Sequence, residues 1–225
     1  MLSVEGHHHV TYWAPLSAIV VLGAVNGPAA TFSYVALGDS LTAGQGARHG
    51  YVDRLYDRLA SRHAGAVLHN LGSSGATTAD VLRAQLPRVA KLHPALVTLA
   101  IGANDLTDGT SVDQLTHNLA TIVASLRAMG TTVVVTNLPA VGLAPAVPAA
   151  YRSQVDGLVR SVNVALAAIC RKNQAALFDL YSLSKTEIPR HPEYFSRDGY
   201  HPSDDGYDRW AAAMWVVVQD ALARR

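Results

Sequence analysis

The 225-residue sequence contains a single cysteine, Cys170, and few charged residues. A lone thiol excludes an intramolecular disulfide and a zinc site built on several cysteines. Charged residues make up 16% of the chain, the formal net charge is +1, and lysine and arginine form no run. The chain therefore lacks the basic surface typical of proteins that bind nucleic acid or anionic membranes, and we expect a small neutral or weakly charged ligand.

Sequence motifs for common cofactors are also absent. The chain has no P-loop and no G-x-G-x-x-G fingerprint, and no histidine or carboxylate pair at helical ligand spacing has a third ligand nearby. We therefore expect no nucleotide, metal or other cofactor. There is no internal repeat, and a chain of this length that is 49% hydrophobic can bury the core of one domain.

The first thirty residues differ in composition from the rest. The stretch APLSAIVVLGAVNGPAA resembles the apolar core and cleavage zone of a secretory signal. The segment before it contains His7 to His9 but lacks the lysine or arginine typical of such signals. We expect residues 1–30 to form a leader, either a signal peptide or an extra N-terminal helix, and residues 31–225 to form a single domain. A signal peptide implies an extracellular or periplasmic protein, and an extra helix a cytoplasmic one.

From Phe32 onward, short apolar or β-branched runs alternate with longer segments of helical period. This pattern is typical of a parallel sheet covered by helices on both faces. Strands are predicted at residues 32–37, 66–70, 96–101, 132–136 and 175–178. Long helices are predicted at residues 112–129, with a Ser111/Gln114 capping box, at 151–172 and at about 206–223.

Polar residues follow three of the predicted strands, and a fourth polar stretch precedes the last helix. Gly38, Asp39 and Ser40 end the first strand, NLGSSGATT (70–78) follows the second, and IGAND (101–105) follows the third. The late stretch is DGYHPSDDGY, which begins at Asp198. In an open parallel sheet, ligands bind outside the carboxyl ends of the strands, so we expect these residues to meet there.

These residue types suit acyl transfer. A serine hydroxyl needs a base to take its proton, and a histidine base needs a partner that fixes its tautomer. Ser40, His201 and Asp198 can fill these roles. The backbone N–H groups of Ser40 and Gly72 and the side-chain amide of Asn104 can stabilise an oxyanion, since a glycine lets backbone approach a substrate closely.

Each residue alone also fits a structural role. Asp39 and Ser40 are ordinary helix-capping and turn residues, and Asn104 is a common turn residue. We expect Asp39 and Asp105 to hold turns through backbone hydrogen bonds rather than to take part in chemistry. His49 and His191 lie in predicted loops and are able to line a cleft.

The blocks GDSLTAG, NLGSSGATT, GAND and DGYHPS resemble, in order, those of the SGNH hydrolase superfamily, the GDSL esterases and lipases. ALGDSLTAG and the compact length are most similar to the thioesterase I/lysophospholipase L1-like branch. The resemblance covers residues 34 to about 215 and implies a three-layer α/β/α sandwich with a flavodoxin-like five-stranded parallel sheet. It implies Ser40, Asp198 and His201 as catalytic residues and Ser40, Gly72 and Asn104 as the oxyanion hole.

We therefore expect a monomeric serine esterase for short-to-medium acyl chains, with thioesterase or lysophospholipase side activity. The missing G-x-S-x-G motif around Ser40 excludes the nucleophile elbow of α/β-hydrolases. The alternatives are a carbohydrate O-deacetylase of the same superfamily and, more remotely, a non-enzymatic flavodoxin-like binding domain. The apolar composition of three predicted loops, residues 106–111, 138–151 and 181–195, favours an acyl pocket.

Overall fold

The computed structural model of the protein describes Leu2 and residues 31–224, so the predicted leader lies almost wholly outside the described residues. One five-stranded sheet has the order β2-β1-β3-β4-β5, and every neighbouring pair is parallel. The predicted strands are confirmed to within one residue at each end. Their bounds are β1 (Ser33–Gly38), β2 (Val67–Asn70), β3 (Leu96–Ala100), β4 (Thr132–Thr136) and β5 (Ala176–Phe178).

Helices connect the strands and cover both faces of the sheet. They are α1 (Ser40–Ala43), α2 (Tyr51–Ala60), α3 (Thr78–Asp80), α4 (Leu86–Val89), α5 (Ala103–Thr107), α6 (Val112–Ala128), α7 (Arg152–Asn173), α8 (Leu180–Glu187) and α9 (Asp204–Ala223). A π-helical turn (Val81–Gln85) joins α3 to α4. Within residues 31–224, none of these helices combines the length and the apolar character needed to cross a bilayer.

Alternate residues of each strand face opposite layers, as in any β-strand. Val35 and Leu37 of β1 pack in the cluster that includes α6 and α7, whereas Tyr34 and Ala36 pack in the cluster that includes α2 and α9. All six residues of β1 are buried. The predicted three-layer α/β/α sandwich is confirmed, and its strand order is that of flavodoxin-like folds.

Two local predictions differ from the structure. Ser111 caps α6 by accepting from the Gln114 N–H, but the Gln114 side chain donates to Asn118 Oδ1 one turn later, so only half of the predicted capping box forms. Residues 181–195, predicted as a loop, are largely helical. Asp179 caps α8 by accepting from the Ser182 N–H, and two 3-10 turns follow α8.

Candidate active site

The site lies at the carboxyl edge of the sheet, where the strand order reverses. β1 lies between β2 and β3, so the chain leaves β1 towards one side of the sheet and returns on the other. Ser40 begins α1 two residues after β1, and Asn104 lies at the start of α5 after β3. His201 comes three residues before α9. The topology therefore brings these distant segments to one edge, as predicted.

A tight turn between β1 and α1 positions Ser40. Gly38 has a φ of +152°, and a Cβ atom there would lie 2.1 Å from the Ala100 carbonyl oxygen, so no larger residue fits. The Gly38 N–H donates to Gln85 Oε1 at 2.9 Å, and Gln85 Nε2 donates back to the Gly38 carbonyl at 2.8 Å. Asp39 Oδ1 accepts from the Leu41 N–H at 2.9 Å and caps α1, the turn-holding role expected of it.

Ser40, His201 and Asp198 form one chain of hydrogen bonds. His201 Nε2 lies 2.9 Å from Ser40 Oγ, and His201 Nδ1 lies 2.7 Å from Asp198 Oδ2. The other carboxylate oxygen, Asp198 Oδ1, accepts from the Tyr200 and His201 N–H groups and from Ser196 Oγ, at 2.8 to 2.9 Å. The carboxylate is thus held at both oxygens, which fixes the plane in which it meets the imidazole.

The same contacts keep Asp198 ionised. Partial burial acts to raise the pKa of the Asp198 carboxyl, but the hydrogen bonds from the His201 side chain, the two backbone N–H groups and Ser196 outweigh it. The net effect holds this pKa well below its ordinary value. At neutral pH the group facing His201 Nδ1 is therefore an anion that accepts the N–H of the imidazole and leaves Nε2 to face Ser40.

Asn104 lies beside the turn that follows β2. Asn104 Nδ2 donates to the Ala76 carbonyl at 2.8 Å. An amide nitrogen carries two N–H bonds, so this contact orients the side chain and leaves one donor. The next residue, Asp105, is 1% exposed and accepts from the Thr78 N–H at 2.9 Å. Asp105 thus ties α5 to the start of α3, the supporting role expected of it.

The surroundings of Gly72 do not favour its predicted role as an oxyanion donor. The Gly72 N–H donates to Asn70 Oδ1 at 3.0 Å, while Asn70 Nδ2 donates to the Thr42 carbonyl. A Cβ atom on Gly72 would lie 2.7 Å from the Ala43 nitrogen and 2.8 Å from the Thr42 side chain. The absence of a side chain thus lets the strand end pack against α1, and the N–H already has an acceptor.

Gly75 lies in the same sequence block as Gly72 but differs from it in the hydrogen bonding of its backbone N–H. The Ala76 N–H donates to the Ser73 carbonyl at 3.0 Å, which closes a turn with Gly75 at its third position and a φ of +80°. Within residues 31–224 the Gly75 N–H has no hydrogen-bond partner. Its neighbour Ala76 accepts the Asn104 amide. The sequence prediction names Gly72 and not Gly75, although both glycines lie in NLGSSGATT.

A largely apolar pocket opens at Ser40 and Asn104. Two of the three predicted loops contribute to it, and residues 106–111 contribute nothing. The segment after β4 contributes Pro139, Ala140, Val141 and Ala144, and the segment from α8 onward contributes Leu183, Ser184, Glu187, Ile188, Tyr194 and Phe195. The pocket that composition alone suggested is therefore present, but part of its wall is built on helix α8 and not on a loop.

The two loop histidines do not line this pocket. His191 Nδ1 lies 2.8 Å from Glu193 Oε1, and the His191 ring stacks on Tyr194. The His49 N–H donates to Asp204 Oδ1 at 3.2 Å, at the start of α9. Both residues therefore have structural partners. Within the described part of the chain, no three His, Cys, Asp or Glu side chains cluster as a metal site requires.

Asp39 also borders the pocket, and the residue is 2% exposed. Burial raises its pKa to about 6, against the lowering effects of the Leu41 N–H and of His201. A carboxyl whose pKa is higher in the folded than in the unfolded chain stabilises the fold at low pH. That stabilisation is complete only below the unfolded-state pKa, about 3.8, and is lost as the pH rises through 6.

The substitution Asp39→Asn should therefore stabilise the fold at high pH. Asn keeps an acceptor for the Leu41 N–H but carries no charge to bury. We expect the free energy of unfolding to rise by roughly 1 to 3 kcal/mol near pH 8, and this gain to shrink by more than half near pH 4. Urea unfolding at the two pH values measures it, with exposed Asp57→Asn as the control. A gain independent of pH would contradict the raised pKa.

Comparisons with known proteins agree with this architecture. A profile of the GDSL-like Lipase/Acylhydrolase family matches residues 36–209. Esterase TesA of Pseudomonas aeruginosa is 34% identical over 210 residues, which cover 92% of this chain and 98% of that protein. A GDSL-like esterase of Mycobacterium tuberculosis is 31% identical over 135 residues, 59% of this chain but 42% of that protein, so the match spans less than half of that relative.

A solved structure shows the same fold. The crystal structure of TesA superposes with a TM-score of 0.69 at 26% sequence identity and covers 84% of this chain and 99% of its own. The resemblance inferred from the four sequence blocks is thus confirmed along most of the chain. The chain belongs to the GDSL-like lipase/acylhydrolase family.

Proposed function

We propose that the protein is a serine esterase that hydrolyses carboxylic esters of short-to-medium acyl chains through an acyl-enzyme on Ser40. The observation that carries this proposal is the hydrogen-bonded chain from Ser40 Oγ through His201 to Asp198, at 2.9 and 2.7 Å. Ser40, at one end of this series of hydrogen bonds, lines an apolar pocket. Family membership and the esterase relatives support the reaction class.

The roles follow from the geometry. His201 Nε2 takes the proton of Ser40 as the hydroxyl attacks the ester carbonyl, and Asp198 stabilises the imidazolium that forms. The imidazolium then gives this proton to the departing alcohol. Water attacks the acyl-enzyme in the second half of the reaction, again with His201 as the base, and Ser40 recovers its proton. No cofactor takes part in these steps.

Three N–H donors can face the oxyanion in this proposal. The Ser40 N–H is at the free first turn of α1, and the Asn104 amide has one N–H left after its bond to Ala76. We assign the third donor to the Gly75 N–H rather than to Gly72, because the Gly72 N–H is bonded to Asn70. Donors fixed before the reaction stabilise developing charge with little reorganisation.

The substitution Asn104→Ala tests the oxyanion assignment. We expect kcat on an aryl ester to fall roughly a hundred- to a thousandfold, because one donor to the transition state is lost. Asn173→Ala is the matched control, since Asn173 Nδ2 donates to the Ile169 carbonyl within α7, and Asn173 does not line the pocket. A change confined to KM would instead make Asn104 a substrate-binding residue.

The pocket wall favours an acyl chain over a sugar. Ala, Val, Leu, Ile and Pro are ten of its 21 lining residues, and their side chains gain free energy by covering hydrocarbon. Trp210 borders the pocket but is 3% exposed, and its indole stacks at 4.3 Å on Tyr51, so it offers little platform for a sugar ring. Hydrolysis of thioesters and lysophospholipids is a further part of the proposal, since both present an acyl chain to the same pocket.

A substrate panel tests the function as a whole. Aryl esters, acyl thioesters and acetylated sugars should be compared by kcat/KM on one preparation, with Ser40→Ala beside each. We expect aryl esters of short-to-medium chains to be hydrolysed fastest. A preference for acetylated sugars by tenfold or more over aryl acetates would favour the deacetylase alternative.

A further inference from the structure

A charged pair lies in the wall of the pocket that contains Ser40. Arg209 Nε donates to the two carboxylate oxygens of Glu187 at 2.9 and 2.8 Å, and Arg209 Nη2 also donates to Glu187 Oε1. The side chains of Arg209 and Glu187 are 38% and 21% exposed, and both border the pocket. The reaction proposed above gives this pair no role.

The pair lies at the α8 end of the pocket. Leu180, Leu183, Ser184 and Glu187 follow one another at spacings of three and four residues, so they share one face of α8, and all border the pocket. Helix α8 begins just beyond β5, at the opposite side of β3 and β4 from β1. Neighbouring strands are about 4.8 Å apart. The pocket therefore extends across the sheet edge from Ser40 towards α8.

Much of the remaining pocket wall is apolar. Ala140 and Val141, after β4, and Leu183, in the first turns of α8, are part of it. Each methylene of a substrate buried there raises kcat/KM by about fourfold, from the transfer free energy of hydrocarbon. Contact with the ion pair has the opposite effect, because hydrocarbon would displace water from two ionised groups without replacing its hydrogen bonds.

We infer that the Glu187–Arg209 pair sets the upper limit of acyl length in this pocket. Methylenes that lie short of the pair increase kcat/KM, and methylenes that reach it do not. This inference rests on the proposed function, because it requires the acyl group on Ser40 to extend into this pocket. Glu187 and Arg209 are then specificity-determining residues that apolar composition alone does not reveal.

An anion-binding role for Arg209 is less compatible with the same contacts. Glu187 occupies Nε and Nη2 of the guanidinium in a side-on arrangement and neutralises its charge. A second carboxylate at this position would also face the Glu187 carboxylate. The pair therefore presents a polar but electrically balanced wall.

The double substitution Glu187→Leu/Arg209→Met tests the inference. Replacing both partners by apolar residues leaves no unpaired charge, and such replacements are commonly neutral or stabilising. Values of kcat/KM should be measured for p-nitrophenyl butyrate, hexanoate, octanoate, decanoate and dodecanoate. We expect the wild-type values to rise and then level off with length, and the dodecanoate-to-butyrate ratio of the double variant to be higher by about tenfold or more.

Lys185→Met is the matched control. Lys185 lies on the same helix but does not border the pocket, and Lys185 Nζ is 3.5 Å from Asp156 Oδ1, so the substitution also removes an ion pair. We expect its length profile to match that of the wild type. If thermal unfolding shows that the double variant is not folded, Glu187→Ala/Arg209→Ala makes the same test.

Three results would overturn the inference. One is a double variant with the wild-type length profile, and another is a wild type that gains with every methylene up to dodecanoate. The third is a wild-type preference for acyl chains that end in a carboxylate, which would make Arg209 an anion-binding residue. Ester hydrolysis that survives Ser40→Ala is a separate outcome, because it refutes the proposed function and not the role of the pair alone.

Discussion

Replacing Ser40 by Ala is expected to lower kcat on aryl esters by at least about ten-thousandfold, because the variant has no nucleophile to acylate. The fold should be little affected. The hydrogen-bond partner of Ser40 Oγ within the described residues is His201 Nε2, and alanine is a good helix residue at the start of α1. The loss should therefore be confined to catalysis.

Activity and stability must be measured together for this variant. Initial rates on p-nitrophenyl butyrate give the activity, and urea unfolding gives the free energy of unfolding, which we expect to change by less than about 1 kcal/mol. Ser161→Ala is the matched control, because Ser161 Oγ donates to the Gly157 carbonyl within α7 and lies outside the pocket. Residual activity within a hundredfold of wild type would require another nucleophile.

The second large effect is expected for Asp198→Asn. An Asn side chain can meet His201 Nδ1 with its N–H instead of an acceptor, which favours the tautomer that protonates Nε2 and cannot accept the Ser40 proton. We expect kcat to fall by roughly a thousand- to ten-thousandfold. Because the pKa of the Asp198 carboxyl is held well below its ordinary value, the carboxylate stays ionised in mild acid, and the loss should appear at every pH of the assay.

Asp205→Asn is the appropriate control for this substitution. Asp205 is an exposed carboxylate in the first turn of α9, so its replacement removes the same charge a short distance along the chain. A loss below tenfold for Asp198→Asn would show that the backbone and not the carboxylate orients His201. Equal losses for the two variants would point to a general effect of charge.

The sheet could be predicted closely because its signals are local. Each strand is a short apolar or β-branched run, and burial on both faces makes such a run continuous, as in TTVVVT around β4. The order of the motif blocks then placed Ser40 and Asn104 at strand ends and His201 in the loop before the last helix, since parallel strands present their carboxyl ends at one edge. These steps needed no contact between distant residues.

Contacts between distant residues account for what the sequence did not reveal. The pairing of Gln85 with Gly38 joins positions 47 apart, and a buried glutamine has no sequence signature. The choice between Gly72 and Gly75 depends on which N–H is already bonded, and this depends on the Asn70 side chain. In the same way, the sequence predicts a loop at Glu187, whereas α8 brings this residue against Arg209.

The most direct test of the account is to find which residue a serine-reactive inhibitor modifies covalently. The enzyme should be treated with a serine-reactive aryl phosphonate, and the adduct located by peptide mass spectrometry, with Ser40→Ala treated alongside. We predict one adduct per chain, on the peptide that contains Ser40, formed in step with loss of esterase activity and absent from Ser40→Ala. An adduct on another residue, or inactivation without an adduct on Ser40, would contradict the account.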